Sequence, residues 1–212
     1  MFKQAHLKMI KELVIGAGIS DEAVIRAMWE VPRHVFVDAP LQREAYSGKA
    51  LPIGFGQTIS HPTTVAVMTS LLKARNGAKI LEIGTGSGYQ AAVLAAMGCQ
   101  VISVERIREL AIKARQRLET LGYFSVAVII GDGSLGYSPR APYDGIIVTA
   151  ASPEIPGVLL EQLAEGGQLI IPVGTLEQQD LWMIQKKDGK YLEALVQNFK
   201  FVPLRGRKGW QL

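Results

Sequence analysis

The sequence predicts an α/β fold: a doubly wound, Rossmann-like sheet, mostly parallel, with an antiparallel C-terminal hairpin and an N-terminal helical cap. Three observations predict it. From residue 79 onward, short apolar runs alternate with stretches of helical periodicity. The first run, Ile80-Leu81-Glu82-Ile83, ends in the turn Gly84-Thr85-Gly86-Ser87-Gly88, where glycine lets a backbone pass close to a ligand. Near the end, Asp188-Gly189 separates two more apolar runs, the composition of a tight antiparallel turn. The 212 residues suffice for one large domain, expected as a helical cap and loop over 1–75, a core over 76–175 and a hairpin and lid over 176–212.

Taken in order, residues 2–14 carry a mixed amphipathic pattern broken by Gly16 and Gly18. Ser20 is placed to N-cap the next helix, with Asp21 and Glu22 in the first turn, where acids favour the helix dipole. Ala23, Ile25, Ala27, Met28 and Trp29 supply its apolar side before Pro32. Residues 40–60, rich in Gly and Pro, read as irregular. Pro62 opens a helix to about residue 74, with Val65, Met68 and Leu72 along one face. A strand over 79–83, a small-residue helix over 89–97 and a strand over 100–104 follow. The next helix keeps a clear 3.6-residue period through Ile107, Leu110, Ala111, Ala114, Leu118 and Leu121. Strands are expected at 126–130, 145–150 and 168–173, with a helix over 156–164 stopped by Gly166-Gly167. The hairpin strands fall at about 181–187 and 191–202.

Composition narrows the functional classes. Hydrophobic residues make up 48% and charged residues 20%, ordinary for a globular protein. No apolar run approaches the roughly 20 residues of a membrane span, and Glu12 interrupts any signal-peptide core behind Lys3, Lys8 and Lys11. Cytoplasm is the expected compartment, in keeping with the single Cys99. The net charge of +4 is mild, and the C-terminal basic residues lack aromatic interleaving, so no nucleic-acid partner and no membrane surface are expected. His6, His34 and His61 are far apart, and no metal site is expected.

In an open α/β sheet, ligands sit beyond the carboxyl ends of the strands at the switch in strand order. Several groups arrive there. The turn with Gly84, Thr85, Gly86, Ser87 and Gly88 follows the first strand, and Glu82 precedes it as an acceptor or a partner for positive charge. Glu105 ends the second strand, where an acid can take both hydroxyls of a ribose. Asp132, beside Gly133 after the third strand, can accept the amino group of an adenine. Each acid also has a plain structural use: Glu105 can pair with Arg106 or Arg108, and Asp132 can shape a turn. Together they favour a nucleoside cofactor. Dinucleotide turns read G-x-G-x-x-G, whereas here the third glycine comes one residue early and Tyr89 holds its place. The turn resembles the S-adenosylmethionine site of class I methyltransferases.

A narrower resemblance covers nearly the whole chain. Residues 50–60, Ala50-Leu51-Pro52-Ile53-Gly54-Phe55-Gly56-Gln57-Thr58-Ile59-Ser60, resemble the signature of the protein-L-isoaspartate O-methyltransferase family. Val31-Pro32-Arg33 with Phe36-Val37 is similar to its N-terminal cap. The runs from Tyr143 through Thr149 to Ala151, Pro153-Glu154-Ile155-Pro156, and Phe201-Val202-Pro203-Leu204 with Gly209-Trp210 are similar to further family landmarks. The resemblance implies methyl transfer from S-adenosyl-L-methionine to the free α-carboxylate of L-isoaspartyl residues in damaged proteins and peptides, with S-adenosyl-L-homocysteine as product. It implies Ser60 as the active-site residue, and Thr58, Ser60 and Thr149 beside the cofactor with the turn residues, Glu82, Glu105, Asp132 and Gly133. It further implies that backbone around Ala50, Leu51, Pro52 and Ile53, and at Val202 and Leu204, holds the substrate. A monomer is expected rather than an oligomer. His61 departs from the commonest pattern beside Ser60, as do Asp38 and Ser152 elsewhere.

This chemistry needs little machinery. A carboxylate with a pKa near ~4 is already an ionised nucleophile at neutral pH, so no general base is required. Ser60 would orient the carboxylate by hydrogen bonding, although a serine before His61-Pro62 is equally placed to cap the following helix. Other class I methyltransferases, a nicotinamide-dependent oxidoreductase and a non-catalytic adaptor retaining the pocket stay open as alternatives at this point.

Overall fold

Near-continuous burial of the central strands decides the sheet, described here for residues 2–211 in a computed structural model. The ends of the expected domain, residues 1 and 212, lie outside the described residues. Nine strands and six α-helices are described. The strands of the main sheet are β3 (Lys79–Ile83), β4 (Gln100–Glu105), β5 (Val126–Ile130), β6 (Tyr143–Val148), β7 (Leu163–Gly174), β8 (Gln179–Lys187) and β9 (Lys190–Phe199). They lie in the order β5-β4-β3-β6-β7-β8-β9. Pairings are parallel from β5 to β7 and antiparallel for β7 with β8 and β8 with β9. The chain winds outward from β3 to β5, then returns to the other side of β3 as β6. That reversal is the switch point at which such sheets bind ligands.

The two faces bury separate apolar sets. Ile80, Val101, Val128, Ile147 and Ile170 join the helical cap on one side. Leu81, Ile83, Ile102, Val104, Ile146, Val148, Leu169 and Ile171 form the core on the other. Strands covered on both faces read as continuous apolar runs, which is why these were legible.

The cap begins with α1 (Phe2–Met9), continued by a π-helical turn (Ile10–Val14) rather than one regular helix to residue 14. In α2 (Glu22–Glu30) the N-cap is Asp21, not Ser20: its Oδ1 accepts from Ala23 N at 2.9 Å and Val24 N at 3.3 Å. The buried positions are Val24, Ala27 and Met28, while Trp29 is 38% exposed and lies beside the His6 ring. Residues 40–60 are more ordered than expected. A 3-10 segment spans Ala39–Glu44, and β1 (Leu51–Gly54) pairs antiparallel with β2 (Gln57–Ile59). Pro52 and the Gly54-Phe55-Gly56 turn hid this hairpin, since both residue types argue against a strand.

Helix α3 (Pro62–Leu72) buries Val65, Met68 and Leu72 as expected. Helices α4 (Tyr89–Ala96) and α5 (Arg108–Thr120) follow β3 and β4. Helix α6 (Gly157–Glu161) stops short of residue 164, because Leu163 already pairs with Tyr143 in the sheet. At the hairpin tip, Asp188 (φ 52°) and Gly189 (φ 70°) both take the left-handed region that the tight turn requires.

Candidate active site

The turn after β3 is pinned from three directions. At the switch point, Thr149 N donates to Ile83 O at 2.9 Å, and its hydroxyl donates to Ile83 O at 2.9 Å and Gly84 O at 2.7 Å. Glu105 accepts from Gly86 N at 2.9 Å through Oε2 and from Ile107 N at 2.9 Å through Oε1. From α5, Arg117 Nη1 donates to Ser87 O at 2.7 Å. Gly84 has φ +94°, and a Cβ there would lie 2.5 Å from Thr149 Oγ1. Only glycine serves at that position.

Above this turn lies an open cleft at the carboxyl ends of the strands, the place where open α/β sheets bind ligands. Its walls include Thr58, Ser60, Gly84, Thr85, Gly86, Ser87, Glu105, Gly133, Thr149, Val202 and Leu204. These residues come from the hairpin loop, four strand ends and the C-terminal segment. Tyr89, Gln90, Arg106 and Arg205 also line it, although no periodicity or spacing marks them in the sequence.

Other expected residues stand outside the walls. Gly88 faces Ala114 and Leu118 of α5, and Ile53 packs against Gly86 behind the turn. Leu51 is buried in the cap core, whereas Ala50 and Pro52 are exposed. At 202–204 two backbone groups are already engaged: Ala151 N donates to Val202 O at 2.8 Å, and Leu204 N donates to Ala151 O at 2.7 Å. The Val202 N–H and Pro203 C=O have no hydrogen-bond partner among the described residues.

Glu82 lies beneath the turn. It is fully buried, registers opposite Ser103 on β4 and accepts from that hydroxyl, which lies 2.6 Å from Thr85 Oγ1. Its Oε1 has no hydrogen-bond partner among the described residues. Burial pushes its pKa up to about 8, with the Ser103 hydrogen bond pulling down and Glu105 adding to the rise. Burial thus favours the protonated carboxyl. A carboxyl whose pKa is raised on folding stabilises the fold at low pH and loses that contribution as pH climbs from about 4.5 toward about 8. Glu82→Gln removes the titration. Between pH 6 and pH 9 its melting temperature should rise relative to the native protein's, and parallel pH profiles would contradict this assignment.

Asp132 faces the C-terminal segment. Its Oδ1 accepts from Ser134 N at 3.0 Å and Ser134 Oγ at 2.6 Å, and its Oδ2 accepts from Arg207 N at 2.8 Å. Lys208 N donates to Ser134 Oγ at 2.9 Å. Partial burial raises its pKa, but these hydrogen bonds and the Arg207 charge outweigh that and hold it below the ordinary carboxylate value. The clasp is thus intact at neutral pH and fails as pH falls through that depressed pKa. It closes tightly, since a Cβ on Gly206 (φ +156°) would overlap Asp132 Oδ1 and Ser134 Oγ. Gly206→Ala should therefore free residues 205–210, with trypsin cleavage at Arg205, Arg207 or Lys208 at least ~10-fold faster. Unchanged cleavage would show that the clasp does not hold this segment.

Ser60 is half-buried on the cleft wall. It does not cap α3. The cap is His61, whose Nδ1 accepts from Thr63 N at 3.1 Å. The Ser60 hydroxyl has no hydrogen-bond partner among the described residues, while its carbonyl accepts from Arg33 Nη2 at 2.7 Å. Burial lowers the His61 pKa, against a hydrogen bond to the Gly48 backbone and with a smaller push from the Arg33 charge, which suits a neutral ring used as an acceptor.

The donor set fits a nucleoside cofactor: an open cleft over a turn whose first position admits no Cβ, an acid at the end of β4, and small residues after β5. Comparison with known proteins agrees. Residues 4–209 match the family model described as protein-L-isoaspartate(D-aspartate) O-methyltransferase. A Methanoculleus marisnigri protein-L-isoaspartate O-methyltransferase is 50% identical over 204 residues, 96% of this chain and 93% of that protein. A solved protein-L-isoaspartate O-methyltransferase superimposes with TM-score 0.87 at 31% identity, covering 96% of this chain and 67% of the other. A Plasmodium falciparum structure assigned to the same activity, in complex with S-adenosyl-L-homocysteine, gives TM-score 0.81 at 25% identity, covering 94% and 98%. This chain belongs to the protein-L-isoaspartate(D-aspartate) O-methyltransferase family.

Proposed function

We propose that this enzyme methylates the free α-carboxylate of L-isoaspartyl residues in damaged proteins and peptides, with Ser60 receiving that carboxylate. The observation that carries the reading is the meeting of Ser60, the 84–88 turn and Val202–Leu204 around one cleft, with the Ser60 hydroxyl free of the capping role that His61 takes. S-adenosyl-L-methionine, when bound, supplies an activated sulfonium methyl group. Gly84, Thr85, Gly86 and Ser87 would cradle it, Glu105 would take the ribose, and Gly133, Asp132 and Thr149 would border the rest, with Glu82 and Gly88 shaping the turn from behind.

The residues of the chain then have positioning tasks. Ser60 Oγ donates to the incoming carboxylate and aims it across the cleft, with Thr58 beside it. The open Val202 N–H and Pro203 C=O hold the peptide backbone, and Ala50–Ile53 supports the loop. No proton need be removed, because the nucleophile is ionised at neutral pH. His61 is consistent with this, since its Nδ1 is committed to Thr63. Alignment of two reactants can supply effective molarities of roughly 10⁵–10⁸ M. The methyl ester cyclises to a succinimide as a backbone amide nitrogen displaces methanol, and water can reopen the ring as aspartate.

Among the described residues no helix is long and apolar enough to cross a membrane. We place the enzyme in the cytoplasm as a monomer, acting on isoaspartyl proteins without nucleic acid. The test supplies labelled S-adenosyl-L-methionine with paired peptides containing aspartate or isoaspartate. Base-labile label on the isoaspartyl peptide alone supports the reading, and equal or absent labelling overturns it.

A further inference from the structure

Arg33 is a fully buried side chain with no carboxylate beside it. Two ion pairs are found among the described residues, Lys8 with Glu12 and Lys49 with Glu44, and neither involves it. Instead its guanidinium donates to backbone carbonyls: Nε to Ala45 O at 2.7 Å, and Nη2 to Ser60 O at 2.7 Å and Lys49 O at 3.4 Å. Its Cζ sits 4.9 Å from the centre of the ring of Tyr89, a residue of the cleft wall. Among the described residues its Nη1 makes no hydrogen bond of ordinary geometry, and the similarly unpartnered Tyr89 hydroxyl interacts with the guanidinium.

A buried ion without a counterion is costly, and an apolar side chain of similar volume would pack there at less cost. Three carbonyls and one aromatic face offset only part of that cost. The arrangement leaves a positive field directed through one peptide group toward Ser60. Burial lowers the basicity of the neighbouring His61, a hydrogen bond to the Gly48 backbone partly restores it, and the Arg33 charge adds a smaller lowering.

We propose that Arg33 is a positioning residue that draws the isoaspartyl carboxylate to Ser60 through its field without touching it. This inference rests on the reading of Ser60 above. Indirect action suits the chemistry. A guanidinium paired with the carboxylate would cover the oxygens that must attack. One peptide group further back, the charge attracts the anion and leaves it free to react. Methyl transfer removes the negative charge, so the field holds substrate more strongly than the neutral ester and favours product release. Such a force acts on the ground state, so its loss appears in KM more than in kcat.

The test compares Arg33→Lys, which keeps the charge but loses the fork, with Arg33→Gln, which loses the charge but keeps an amide donor. Steady-state kinetics on an isoaspartyl peptide are read alongside affinity for S-adenosyl-L-homocysteine and melting temperature. KM is expected to rise at least ~10-fold in Arg33→Gln and no more than ~3-fold in Arg33→Lys, with cofactor affinity within ~3-fold in both. Equal rises in the two variants would reduce Arg33 to a clamp on the loop, and unchanged KM in both would remove it from substrate binding. If Arg33→Gln does not fold, Arg33→Met replaces it under the same criteria. Should the native enzyme leave the isoaspartyl peptide unmethylated, the functional reading fails, whereas native activity with unaltered variants defeats only this inference.

Discussion

Ser60→Ala is expected to lower turnover on an isoaspartyl peptide ~100-fold, the scale set by removing one well-placed donor to a reacting oxygen. Affinity for S-adenosyl-L-homocysteine should stay within ~2-fold, because the turn from Gly84 to Gly88 is pinned by Thr149, Glu105 and Arg117 independently of Ser60. The melting temperature should also hold, since His61 and not Ser60 caps α3. A drop in melting temperature with normal turnover would mean that the serine is structural after all. The fold-change separates the roles because capping residues act on stability and orienting residues act on kcat.

Gly84→Ala should be the most damaging single methyl for cofactor binding. An L-residue at φ +94° carries strain of about 1–2 kcal/mol. Its Cβ would also lie 2.5 Å from Thr149 Oγ1, the atom that bonds both Ile83 O and Gly84 O. Displacing that hydroxyl forfeits its one shared hydrogen bond, about 1 kcal/mol. The total of roughly 2–3 kcal/mol corresponds to about 30- to 100-fold weaker binding of S-adenosyl-L-homocysteine, measurable by calorimetry. Undiminished affinity would show that the turn yields easily and does not carry the cofactor.

How much of this was legible depended on which physical signal each element carries. Strands over 79–83 and 126–130 were read to the residue: the first is buried on both faces, and the second, at the sheet edge, is an unbroken run of Val, Ala and Ile. Helix α5 was legible from its period, and the 188–189 turn from residues able to adopt positive φ. The hairpin over 51–59 was not, because its Pro and Gly serve a bulged two-stranded ribbon and mimic a loop.

The site divides along the same line. Sequence spacing places an acid at a strand end but does not say which way its carboxylate turns. Glu105 turns to the cleft and the Gly86 N–H, Glu82 lies beneath the turn against Ser103, and Asp132 engages the C-terminal segment. Arg33 was invisible as a functional residue because arginine is ordinarily exposed, and its burial depends on carbonyls at 45, 49 and 60 that only the folded loop brings together.

The most direct measurement of the central claim is a crystal structure of the enzyme with S-adenosyl-L-homocysteine and an isoaspartyl peptide. The account predicts the cofactor sulfur above the 84–88 turn, the α-carboxylate within hydrogen-bond reach of Ser60 Oγ, and Arg33 behind the Ser60 carbonyl. A carboxylate seated directly on Arg205 or Arg106, away from Ser60, would contradict it.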